Sequence, residues 1–161
     1  MIGPQLVLYE EDQNRISETC GRLVREANAR TVFIIDRTGQ LISQTGEAGD
    51  YDTTAMASLA AGDIAATGGL AHLIGEKEFP HLFHEGENQS IHLSLLGKQW
   101  ILIVIFDERS SLGLVRLRVR KFGGELTAIA DEVTGRAPDE RTISPFADIT
   151  DDDIDNLFAD F

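Results

Sequence analysis

The sequence predicts an α/β domain of the α+β kind, in the order α-β-β-α-β-β-β-α, with a five-stranded, mainly antiparallel sheet between helices. Three observations predict it. Val32–Ile35 and Trp100–Phe106 are apolar at every position, the pattern of central strands covered on both faces. Asp36-Arg37-Thr38-Gly39, Gly86-Glu87-Asn88 and Gly97-Lys98 separate strand-like runs at hairpin spacing. Three longer stretches repeat apolar or small residues at helical steps. A sheet covered on both faces needs helices on both.

From Tyr9 to Ala29, Ile16, Cys20, Leu23 and Ala27 recur at helical spacing with charges between them, so the first element is an amphipathic helix. Cys20 lies on its apolar stripe and reads as a small buried hydrophobe rather than a reactive thiol. Thr31–Ile35 and Gln40–Gln44 follow as a hairpin whose turn closes on Gly39.

The second helix runs from Thr54 to Ile74, with Asp52 or Thr53 as N-cap and Gly75 just past its end. Every fourth residue gives Ala57, Ala61, Ala65 and Gly69, a lane with nothing larger than a methyl. Gly62, Gly68 and Gly69 each cost about 0.5–1 kcal/mol relative to Ala inside a helix. A smooth helix at that cost is expected where another backbone comes close. Packing of helix on helix within a homodimer is the alternative use of the same lane.

Phe79–Glu85, Ser90–Leu96 and Gln99–Phe106 then form a meander. Pro80 cannot donate to a ladder, which makes 79–85 the edge strand. Over 112–133, six residues alternate as a strand would. Leu112, Val115, Val119, Phe122, Leu126, Ile129 and Val133 nevertheless sustain the helical period across the whole stretch. The longer pattern prevails, giving a helix capped by Ser110 or Ser111, with Arg116, Arg118 and Arg120 mostly in solvent.

The domain is therefore expected over 1–134, followed by a linker and an acidic amphipathic segment over 135–161. In that segment Thr150 caps three aspartates, and Ile154, Leu157, Phe158 and Phe161 recur at i, i+3, i+4 and i+7. So short a helix is marginal alone and has the pattern of one that folds into a partner's groove.

With 161 residues, 42% of them hydrophobic, the chain can bury one sizeable core without staples. One cysteine excludes an internal disulfide framework, no apolar run approaches a membrane span, and the N-terminus lacks a basic signal region. A cytoplasmic location is expected. The net charge of −13 disfavours nucleic acid and anionic membranes as partners.

The sequence carries no phosphate-loop, dinucleotide, nucleophile-elbow or metalloprotease motif, so neither a catalytic site nor a cofactor is expected. His81 and His84 point to opposite faces of a strand, and His92 could meet one of them across the Gly86 hairpin. Ordinary edge-strand histidines are the plainer reading than a metal site. Arg37 and Arg109 sit beside turns from which an arginine finger could be offered.

The element order and the Gly/Ala-rich middle helix resemble the Roadblock/dynein-light-chain family. The stretches QLVLYEE, ASLAAGDIAATGGLAHLIGE, EFPHLFHEGE, VIFDERSSLGLVRLRVRK and SPFADITDDDIDNLF are similar to its MglB-type branch. That resemblance spans nearly the whole chain. It implies a homodimer formed by pairing edge strands, with the two middle helices side by side on one face. That face would bind the GTP form of a small Ras-like GTPase of the MglA type, in bacterial polarity or motility. Hydrolysis would be stimulated by repositioning the GTPase's switch regions, without an arginine finger. By the same resemblance the partner-binding residues are Ala57, Ala61, Ala65, Gly68, Gly69 and His72, with Phe146, Ile154, Leu157 and Phe158 of the C-terminal segment. A non-catalytic adaptor tethering a polarity or motor protein is the alternative.

Overall fold

The computed structural model describes residues 7–47 and 49–136. The expectations for 137–161, including Phe146, Ile154, Leu157 and Phe158, lie outside the described residues. Eight elements follow in the expected order: α1 (Glu10–Ala27), β1 (Thr31–Asp36), β2 (Leu41–Gly46), α2 (Thr53–Leu73), β3 (His81–Glu85), β4 (Gln89–Leu96), β5 (Trp100–Asp107) and α3 (Leu112–Thr134). The strands form one sheet in the order β2-β1-β5-β4-β3, and every neighbouring pair is antiparallel.

β1 and β5 lie at the interior of this sheet because they can be buried on both faces. Val32–Ile35 and Ile101–Phe106 are all buried. Alternation then assigns their side chains to two cores. Val32, Ile34, Leu102, Val104 and Phe106 pack with α1 and α3, whereas Phe33, Ile35, Ile101, Ile103 and Ile105 pack with α2. The apolar stripes named for α1 and α3 are buried in the first core, except that Leu112 is half-buried at its margin.

Local chemistry sets the ends. The Asp52 carboxylate accepts from the Ala55 N–H at 3.0 Å and caps α2. Ser111 Oγ accepts from the Leu114 N–H at 3.2 Å and caps α3. Gly39 and Gly97 close their hairpins at φ +91° and +64°, values that favour glycine. β3 begins two residues later than the sequence suggests. Phe79 and Pro80 stay outside the ladder, although the Pro80 carbonyl still accepts from the Leu95 N–H at 2.9 Å.

Among the described residues β3 is paired only with β4, which leaves its outer edge open there. On the α2 face, the β3–β4 half of the sheet is also the less covered half. Leu82, Ile91 and Leu95 there are only half-buried, whereas Ile101, Ile103 and Phe33 are fully buried. No helix among the described residues is long and apolar enough to cross a membrane.

Candidate functional site

The middle helix is the only helix on its face of the sheet among the described residues. Its small-residue lane does not stay on one side of the surface. Ala57 and Ala61 are 1% and 8% exposed, packed with Ala60 and Ile64 into the core beneath α2. Ala65 and Gly69 are exposed and Gly68 is half-exposed. Within the chain the lane therefore divides into a buried half, Ala57 and Ala61, and an open half, Ala65 and Gly69. A helix turns 100° per residue, so a strict four-residue step drifts around it by about 40° each time. Over twelve residues that drift carries the lane from the sheet to the solvent. Ala57 and Ala61 are small because the sheet lies against them.

The open half forms one wall of a depression of about 400 Å³. Ala65, Gly68, Gly69 and His72 face Lys77, Glu78 and Phe79 of the following loop across it. Arg37 completes the rim, donating from Nη2 to Glu78 Oε2 at 3.0 Å, which ties the β1–β2 turn to the loop after α2. Cβ atoms built on Gly62, Gly68 and Gly69 would meet nothing within 4 Å, so packing among the described residues does not require these glycines.

Beside the depression, Leu59, Leu70, Leu73 and Ile74 are 74%, 57%, 82% and 69% exposed. Four large apolar side chains uncovered along this one 21-residue helix and its C-cap mark an interaction surface rather than a solvated face. Sequence reading missed them. They were hidden because α2 is apolar around most of its circumference, although Leu70, Leu73 and Ile74 fall at steps of three and four.

The histidines divide as the strand alternation requires. His84 Nε2 lies 2.5 Å from Asp63 Oδ2 and joins β3 to α2. His81 and His92 lie on the opposite face with ring centroids 5.7 Å apart, and Ser94 Oγ sits between them, 3.0 Å from His81 Nδ1 and 3.4 Å from His92 Nδ1. Burial, reinforced by His81 and Arg116, pushes His92 down to about 4, so it is neutral at physiological pH. Burial also lowers His81, with help from Arg116 and Arg120. No group of three or more potential metal ligands occurs among the described residues.

Neither turn arginine is free. Arg109 chelates Asp107 through Nε and Nη2 and donates to Glu47 at 3.0 Å, and these hydrogen bonds raise its pKa further. Arg37 is engaged by Glu78. Cys20 is 1% exposed, and burial pushes its thiol up to about 12, which leaves no thiolate for chemistry.

An antiparallel sheet with an open edge, flanked by two helices on one side and a single exposed helix on the other, defines the class. The chain belongs to the Roadblock/LC7 domain family, whose model matches residues 15–106. Among solved structures it is similar to MglB of Myxococcus xanthus at 50% identity, covering 83% of this chain and 100% of that one with a TM-score of 0.75. The gliding protein MglB of Thermus thermophilus is 33% identical over 81% of this chain and 99% of its own, with a TM-score of 0.76. An MglB described in a tetrameric arrangement is 32% identical, covering 82% and 99%, with a TM-score of 0.77. Among curated proteins none matches.

Proposed function

We propose that this chain is a homodimeric regulator of a small Ras-like GTPase of the MglA type, acting in bacterial cell polarity or motility. It binds the GTP form and accelerates hydrolysis. The supporting observation is the open half of α2. Ala65, Gly68, Gly69 and His72 line a depression, the two glycines without a packing neighbour for a Cβ among the described residues, beside four exposed apolar side chains. Small residues at that position let a switch-loop backbone approach closely, and the apolar neighbours supply buried area for association.

Activation proceeds by positioning. Arg37 and Arg109 are both committed to carboxylates, so the regulator contributes shape rather than a cation to the transition state. Holding the GTPase's switch regions in the competent arrangement lowers the barrier by ordering groups the GTPase already owns. The family resemblance assigns the dimer to pairing of open edge strands, here β3. Leu82, Ile91 and Leu95 are the half-buried residues that a second copy of α2 and β3 would cover. The surface formed by Leu59, Leu70 and Leu73 then serves either the second copy or the GTPase on different flanks of one helix. Phe146, Ile154, Leu157 and Phe158 are proposed as the apolar contacts of an accessory segment that docks elsewhere on the GTPase.

Single-turnover GTP hydrolysis by the cognate GTPase, with and without this protein, tests the reading. Acceleration together with selective capture of the GTP-analogue form is expected. A stable complex with an unchanged hydrolysis rate would instead mark an adaptor that tethers its partner through the same face.

A further inference from the structure

On the face of the sheet opposite α2, a cavity of about 430 Å³ lies between α3 and the β3–β4 hairpin. This is the size of a small-molecule site. Leu96 and Val119 give it apolar walls, and Gly123 and Gly124 open its helical side, since a Cβ on either would meet nothing within 4 Å among the described residues.

Its charged groups are unusual for this chain. Although net charge is −13, Arg116 and Arg120 form no ion pair or hydrogen bond among the described residues. By contrast, Arg118, between them in sequence, reaches Glu26 at 3.4 Å. Arg116 and Arg120 stand four residues apart, where like charges on a helix repel. They line the cavity together with His81, His92 and Ser94.

His92 is 1% exposed, and its Nε2 has no hydrogen-bond partner among the described residues. Ser94 has one hydroxyl proton to share between two imidazole Nδ1 atoms. When Ser94 donates to His92 and accepts from His81, His92 carries its proton on Nε2, a buried donor awaiting an acceptor. Two guanidinium groups, one buried N–H donor and an apolar wall together describe a receptor for a compact anion with an apolar body.

We propose that this cavity binds a small organic phosphate, with the phosphoryl oxygens on Arg116 and Arg120 and the apolar body against Leu96 and Val119. It is independent of the GTPase reading, because it lies across the sheet from α2.

The test titrates the full chain, in its own oligomeric state, with phenyl phosphate and separately with inorganic phosphate, followed by calorimetry and amide NMR. Phenyl phosphate should saturate one site per chain, bind about tenfold more tightly than inorganic phosphate, and shift the amides of β4 and residues 116–127. The double variant Arg116→Gln, Arg120→Gln should weaken phenyl phosphate by at least about tenfold while leaving the thermal midpoint in place. Gly123→Leu, which fills the cavity and keeps both arginines, should block it as well. Absence of saturable binding, equal affinity for inorganic phosphate, or full binding by either variant would overturn the site.

Discussion

Arg136 donates from Nη1 to Asp12 Oδ2 at 2.6 Å and from Nη2 to Asp12 Oδ1 at 3.2 Å, clamping the end of α3 onto the first turn of α1. The Asp12 side chain is only 4% exposed, and it also accepts from the Tyr9 N–H at 3.0 Å. The Arg136 guanidinium lies 4.5 Å from the centre of the Tyr9 ring. Arg136→Ala should leave a buried carboxylate short of its cation and cost about 2–3 kcal/mol, read as a lowered urea midpoint at unchanged slope. Arg136→Lys should recover only part of this, because an ammonium cannot reproduce the two-point contact.

Acid should weaken the fold in two successive windows. His92 titrates near 4 in the folded protein against an ordinary value of 6.5, so between those values the unfolded chain binds the extra proton. Stability therefore rises with pH across this window and is lost as pH falls from 6.5 toward 4, by about 3 kcal/mol at most. His81, also lowered, acts with the same sign. Asp12, held below the usual carboxylate range by Arg136, contributes stability that is present above 3.8 and lost on further acidification. Urea unfolding from pH 7 to pH 4 should show the first slope, and His92→Gln should flatten most of it. An unchanged slope in that variant would place the acid-sensitive group elsewhere.

The two halves of the α2 lane should respond oppositely to enlargement. Ala57→Leu forces three extra carbons against the sheet that buries it and should cost about 1–3 kcal/mol. Ala65→Leu, on the exposed half, should leave the thermal midpoint within the small range of ordinary surface changes. Parallel melts of the two variants check this contrast.

That contrast also marks how far the sequence could be read. Periodicity in α1 and α3 was legible because each has one apolar stripe and a largely charged remainder, so pattern and burial coincide at Ile16, Leu23, Val119 and Leu126. The central strands were legible for the complementary reason that nothing polar interrupts Ile101–Phe106. α2 has no such contrast, and its phase relative to the sheet is set by tertiary packing, which buries Ala57 and Ile64 while leaving Leu59 and Leu73 out. The Asp12–Arg136 clamp joins residues 124 apart in sequence, a separation over which no local pattern carries information. The cavity beside α3 was hidden likewise, since Arg116 and Arg120 look like the solvated side of any amphipathic helix until their lack of carboxylate partners among the described residues is seen.

Gly69 offers the sharpest test of what the open helix face is for. It sits inside α2 with space around its missing Cβ, so Gly69→Ala should stabilise the protein by about 0.5–1 kcal/mol through helix propensity alone. Nothing among the described residues packs against this position, which is consistent with the close approach of another chain there. If that is the close passage of a GTPase switch backbone, Gly69→Ala should bind the GTP-analogue form more weakly despite its higher melting point, and Gly69→Arg should abolish binding and stimulated hydrolysis while still folding. The melting points and the single-turnover rates are read on the same preparations. A Gly69→Arg protein that folds and stimulates hydrolysis at the original rate would remove the α2 depression from the GTPase interface.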